Sequence, residues 1–288
     1  MTKHARFAAL ALAAVAWPGA ASAQPQENRD KVEVAEPDRT ARGVDKRFYV
    51  RLGPLHMLPN ADSDEVQMRG VEGTATLAIM DGPIAGSSTD IGALTVPAAI
   101  VGARWAAPGG EVAVETILAL PVTLKLRAGG TLADESIAPT VLDGIQTGIP
   151  ALGSELGETK ALPPTITAVY RYALSDTLHP YVGAGVSYLY TYDGRITNPV
   201  LTEVAEPSLD IENGWSGVAQ AGLDLRFNRF SVVFDVKYMT GFSVQGDVTD
   251  IYVRSSAFPL YEAVHVGDAT LDVQASPLIF HAGAGFDF

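Results

Sequence analysis

From residue 47 onward, apolar and polar side chains alternate with period 2 in eight stretches. These are Arg47–Met57, Leu94–Ala106, Glu111–Val122, Leu162–Leu174, Leu178–Tyr192, Trp215–Phe227, Phe230–Phe242 and Pro277–Phe288. Successive side chains of an extended strand point to opposite faces, so each stretch has one apolar and one polar face. In the sixth, Trp215, Ala219, Ala221, Leu223, Leu225 and Phe227 oppose Ser216, Gln220, Asp224 and Arg226. In the seventh, Phe230, Val232, Phe234, Val236 and Tyr238 oppose Ser231, Asp235 and Lys237. Tight turns at Pro108-Gly109-Gly110, Ser175-Asp176 and Asn228-Arg229 alternate with long connections at 58–93, 126–161, 193–214 and 243–275. That alternation predicts an all-β fold, an eight-stranded antiparallel transmembrane up-and-down β-barrel. Its apolar face must meet lipid, because hydrocarbon cannot solvate the polar one. With both ends of the barrel on the periplasmic side, residues 47–288 form a barrel with four long extracellular loops.

The two ends of the chain fit the same picture. Lys3, His4 and Arg6 precede the apolar run Phe7–Trp17 and the small-residue site Ala21-Ser22-Ala23. Residues 1–23 read as a secretory signal peptide, cleaved before Gln24. Residues 24–46 are polar, densely charged and aperiodic, and are expected to form a flexible segment. At the other end Phe280, Ala282, Ala284, Phe286 and Phe288 make an apolar stripe that finishes on an aromatic residue. Such a terminal strand resembles the signal that the outer-membrane assembly machinery reads, and Phe288 is its last residue.

Composition narrows the alternatives. Of 288 residues, 18% are charged, fewer than in soluble domains, and 28 are Gly. No internal apolar run is long enough for a membrane helix. The net charge of −13 argues against nucleic acid, whose phosphates require basic surfaces. The absence of Cys removes disulfides, thiolate metal sites and Cys nucleophiles.

The segments LPPTITAVYRY (162–172), HPYVGAGVSYLY (179–190) and WSGVAQAGLDLRF (215–227) resemble the OmpW family of small outer-membrane barrels. FYVRLGPLHMLPNAD (48–62) and the terminal GAGFDF (283–288) fit the same pattern, so the resemblance covers strands one and four to eight. It implies localisation in the outer membrane of a Gram-negative-type bacterium. It also implies an eight-stranded barrel with a narrow hydrophobic lumen, associated with uptake of small hydrophobic molecules.

Eight strands enclose a space that side chains nearly fill, which disfavours a general porin. Strand parity sends Arg51, Arg104, Glu111, Glu115, Arg171, Asp224, Arg226, Asp235, Lys237 and Asp287 inward. Buried charges must pair, so this balanced set reads as an ion-pair plug, against the alternative of a solvated polar lumen. Nearer the outer end the inward positions turn apolar, including Leu55, Ile117, Leu189, Val218 and Met239. They form either a path for a hydrophobic solute or plain packing. A solute above a plug needs a sideways exit. Simple pairing about Gly109 sets Pro97 opposite Pro121, and Pro54 and Pro163-Pro164 lie at similar height. Lacking N–H groups, these prolines would either weaken the wall or merely end the strands. Trp215 faces lipid by strict parity, as an interfacial anchor. A bulge at Gly214 or Gly217 would instead turn it into the path as a gate.

His56, His179, His265 and His281 fall in no His/Ser motif, so catalysis is not expected; nor is a metal or cofactor. The rival to transport is a structural barrel whose acidic loops dock partners. Those loops hold 21 of the 33 acids. The expected partners are outer-membrane lipid and lipopolysaccharide, small hydrophobic solutes and the assembly machinery.

Overall fold

The computed structural model describes residues 47–288, apart from 143, 229 and 257–262. The expected signal peptide (1–23) and polar segment (24–46) lie outside the described residues. Eight long strands form a closed barrel: β1 (Phe48–Leu58), β2 (Leu94–Ala107), β3 (Gly110–Ala119), β4 (Thr165–Tyr172), β5 (Leu178–Ile196), β6 (Gly214–Arg226), β7 (Ser231–Thr240) and β8 (Leu278–Asp287). Each pairs antiparallel with the next, and β8 returns to β1 through Tyr49↔Asp287 to Leu58↔Leu278. Closure leaves no free sheet edge.

The period-2 pattern explains why these segments are strands. On β7, Ser231, Val233, Asp235, Lys237 and Met239 are buried, while Phe234, Val236 and Tyr238 are exposed. Leu118, Ile166, Val182 and Phe234 each expose about half or more of their surface on the outside of the wall. Among the described residues no helix is long and apolar enough to cross a membrane. Gly109 holds the β2–β3 turn at φ +76°, a conformation that glycine adopts without strain. At the same end Phe48 and Phe288 exchange backbone hydrogen bonds at 3.1 and 2.9 Å.

Past the opposite rim, the four long connections carry strands that the alternation did not single out. Ser87–Ile91, Val122–Gly130, Glu155–Leu162 and the outer part of β5 pair in that order. Ser208–Ile211, Phe242–Val253 and Val264–Ala275 continue the sheet, which runs on to Ala61–Ser63 and, through Gln67–Arg69, to Gly82–Pro83. The two flanks meet where the Thr89 N–H donates to Ser63 Oγ at 2.8 Å. This cap has its own apolar core, built around residues such as Leu126, Leu156, Ile196, Leu209, Val253 and Leu271. Asp62, Asp90, Glu155, Glu158, Asp210, Asp247 and Asp272 sit on these strands rather than on open loops.

Candidate functional site

Every inward charge named from the sequence joins one network across the lower lumen. Glu115 binds Arg51 at 2.8 Å and forms a short pair with Arg171. Asp224 receives Arg51 at 2.9 Å and Arg226 at 3.2 Å. Asp235 pairs with Lys237. Below them Glu111 gathers Arg104, Arg171 and Arg226, and Asp287 binds Arg104 at 3.0 Å. Five bases thus meet five acids. Arg171, Glu115, Lys237, Asp224 and Arg51 are almost wholly inaccessible, whereas Arg104, Arg226, Glu111 and Asp287 keep partial access at the turn end. The plug is therefore desolvated in its upper layer and wetted at its base. Isolated charges at such depth would be far too costly, and pairing with hydrogen bonds is what makes them tolerable.

Three participants were not named as part of the plug from the sequence, although Gln220 was placed on the polar face. Tyr49 donates its hydroxyl to Glu115 and Tyr181 donates to Asp235, each at 2.7 Å. Their rings flank the guanidinium groups of Arg51 and Arg171 at 4.7 to 5.5 Å. The delocalised cation sits well against aromatic faces. Gln220 bridges Glu115 and Asp235 through its amide nitrogen at 2.9 and 2.7 Å. A signal for the tyrosines was present. Tyr49 pairs in register with Gly102 and Tyr181 with Gly222. A Cβ at either glycine would lie 2.3 Å from the partner ring, so each ring lies flat on the wall because glycine faces it.

Above the network the lumen becomes apolar. Leu55, Leu189, Val218 and Met239 form one buried cluster, with Ile117 and Val96 packed against it. They adjoin a chamber of about 310 Å³, near the lower end of ligand pockets, lined by Leu55, Val96, Ile117, Met239 and Ile279 among others. A smaller space of about 70 Å³ lies beneath the cap, between Leu124, Leu189, Phe242 and Val244. Beyond it lies the apolar core of the cap.

The chamber has a side opening. The β3–β4 ladder ends at Thr116↔Ile166. Ile117–Ala119 and Leu162–Thr165, including Pro163 and Pro164, continue along the chamber wall without pairing to each other, although the first stays paired to β2 and Leu162 and Thr165 to β5. Two prolines in succession remove two donors from the wall. This geometry corrects the proline pairing expected from the turn. Ala98 pairs with Ala119, so Pro97 is not opposite Pro121 but opposite Pro54 of β1. Pro97 lines an open groove on the outer wall with Leu52, Pro54, Leu118 and Leu120. Pro121 lies past the end of β3 and is exposed.

Residues 90–288 match the sequence model of the OmpW family. The chain belongs to the OmpW family. Outer membrane protein W of Vibrio cholerae is 29% identical over 182 residues, 62% of this chain and 77% of that protein. The dibenzothiophene metabolism operon protein PahQ of Pseudomonas aeruginosa is 24% identical over 144 residues, 50% of this chain and about half of its own length. The crystal structure of OprG from Pseudomonas aeruginosa superposes with a TM-score of 0.61 at 18% identity, covering 84% of this chain and 96% of that one. It shows the same fold.

As an OmpW-family barrel the protein resides in the Gram-negative outer membrane, and its outer wall faces lipid. Trp215 is part of that wall. It is 69% exposed, packs on Tyr188 at 4.8 Å between ring centroids, and does not border the chamber. Its place in the solute path is thereby corrected: β6 keeps strict parity through Gly214 and Gly217, so no bulge turns it inward. At the turn end Phe48, Trp105, Tyr172, Phe227 and Phe288 are exposed in the same way. Aromatic girdles of this kind mark the two interfaces of membrane barrels.

Proposed function

We propose that this OmpW-family barrel is a passive channel for small hydrophobic molecules, with its capped end outside the cell and its turns in the periplasm. The observation that carries this reading is the chamber. It is apolar, closed below by paired charges, and bordered by unpaired wall between β3 and β4. A solute in that chamber cannot descend through the plug without separating buried ion pairs, which is strongly unfavourable. It leaves sideways, past Pro163 and Pro164, into the membrane. Transfer from water stabilises it by about 25 cal/mol per Å² of apolar surface, so no energy source is needed. The relation to a protein named for a dibenzothiophene metabolism operon supports an aromatic or otherwise apolar cargo. The side opening replaces the exit first placed at Pro97 and Pro121.

The partners in this reading are outer-membrane lipid and lipopolysaccharide around the wall, the assembly machinery and the solute. The reading assigns the protein no enzymatic step. His56 hydrogen-bonds Thr95 on the outer wall, and His265 stacks on Tyr252 in the cap. His179 and His281 are buried inside the barrel.

The test is uptake of a hydrophobic aromatic by cells with and without the barrel, and by cells carrying Pro163→Val/Pro164→Val. That double variant restores two backbone donors, and its uptake should fall toward the level of the deletion. Unchanged uptake on full deletion overturns the channel and leaves the docking barrel as the better account. Unchanged uptake in the proline variant alone removes the lateral exit.

A further inference from the structure

The chamber is not uniformly apolar. Thr165, Ser187 and Ser216 stand at directly paired positions on β4, β5 and β6 and all face inward, each at least nine-tenths buried. Thr165 lines the chamber beside the gap in its wall. The Thr165 and Ser187 hydroxyls lie 2.9 Å apart, and they reach the carbonyls of Pro163 and Pro164 at 3.1 and 3.3 Å respectively. Ser216 Oγ, the third in the row, has no hydrogen-bond partner in the protein. On β8, His281 is 3% exposed and neither of its ring nitrogens has a partner. It stands at the floor of the chamber, in register with Leu55, which lines it, and with Asp235 of the network, one inward position below Ile279.

An unpaired buried polar group costs about 1–3 kcal/mol, so a wall that served packing alone would carry alanine or leucine at these places. A ligand atom that completes the missing bonds recovers that cost. The chamber offers nothing to a full charge, because the inward acids and bases are committed to one another in the network below. Ser216 can donate or accept, and His281 presents one donor and one acceptor nitrogen in its neutral form. Each suits a neutral hydroxyl or carbonyl.

We infer that the lumen selects hydrophobic molecules bearing one neutral hydrogen-bonding group, such as phenols and alcohols, over hydrocarbons of the same shape, through Ser216, His281 and the adjoining hydroxyls. This inference rests on the reading of the chamber as the solute site. It adds orientation to that reading. The polar end of the solute is held at the hydroxyl row, which runs to the gap between β3 and β4, and the apolar body lies against Leu55, Ile117 and Met239.

The test uses two probes of nearly equal shape, 1-naphthol and 1-methylnaphthalene. Their retention by the purified barrel in nanodiscs is measured by equilibrium partition against empty nanodiscs. The wild-type barrel should retain naphthol roughly fivefold more strongly than methylnaphthalene once lipid partition is subtracted, the worth of about one net hydrogen bond. Ser216→Ala and His281→Leu should each erode that preference and leave methylnaphthalene retention unchanged. If His281→Leu does not insert, Ser216→Ala, which removes one atom from an inward wall position, decides alone. Equal retention of the two probes, or a preference untouched by Ser216→Ala, overturns the inference while the channel reading stands. Retention of neither probe overturns both.

Discussion

At the scale of single residues the plug shows how charge can fill a barrel without becoming a pore. Arg171 is fully buried and reaches Glu115, Glu111, Asp224 and the Tyr49 hydroxyl. Arg171→Leu strands acids that have no water to turn to, and should cost about 3–5 kcal/mol. Arg171→Leu/Glu115→Leu removes one charge of each sign and leaves Arg51 on Asp224 at 2.9 Å, so it should cost less than the single change. Urea unfolding of the two variants in lipid vesicles checks the order, and a double variant less stable than the single one refutes the paired-plug account. The ten charges were legible in the sequence because inward parity and charge coincide at each of them. Tyr49 and Tyr181 share the inward parity of Arg51 and Leu189, but their place in the plug depends on the glycine across the ladder, and register is not printed in a single strand.

The barrel elements were legible for a physical reason. A strand with lipid on one side and a filled lumen on the other has no choice but to alternate, and β1 to β8 do so. The longest cap hairpin was missed because its alternation breaks. Phe242–Val253 changes register against Val264–Ala275 between Val248 and Ile251, and Gly267 takes φ +90° opposite Ile251. A bulge of this sort shifts the apolar set to the other parity, and a period-2 search then loses the strand. The prolines illustrate the same limit. A register error of one residue placed Pro97 across from Pro121, whereas the unpaired wall lies at Pro163 and Pro164. Pro97→Val should therefore leave hydrophobic uptake unchanged in the cells where Pro163→Val/Pro164→Val slows it. A Pro97→Val variant that alone abolished uptake would move the exit back to the outer groove. The last strand carries a separate expectation. Phe288 is 67% exposed and stacks on Phe48. Phe288→Asp should reduce outer-membrane insertion far more than Asp287→Asn, although Asp287 is the residue with the ion pair, to Arg104. Equal amounts of the two variants in membrane fractions would show that the terminal aromatic is not what the assembly machinery reads.

The molecule as a whole places an apolar chamber between two closures of opposite chemistry. Below, paired charges close it by coordination; above, the cap closes it by hydrophobic packing. These closures differ in how readily they open. Parting the plug exposes charges to low dielectric, whereas parting the cap exposes apolar surface to a solute that is itself apolar, and the solute compensates the loss as it enters. In the channel reading proposed above the cap is the door, and one seam in it is the join between Ala61–Ser63 and Ser87–Ile91. There a side chain, Ser63 Oγ on the Thr89 N–H, bridges the flanks, and the buried Thr89 Oγ1 has no partner in the protein. The 2.8 Å contact makes the two positions neighbours across the seam. The chain has no cysteine of its own, so Ser63→Cys/Thr89→Cys introduces a single possible crosslink. Oxidation should lower hydrophobic uptake several-fold, and a reductant should restore it in the same cells. The reduced variant serves as its own control for folding and insertion. Full uptake through the oxidised cap would mean that the solute reaches the chamber from the membrane, through the gap between β3 and β4, and that the opening there serves entry as well as exit.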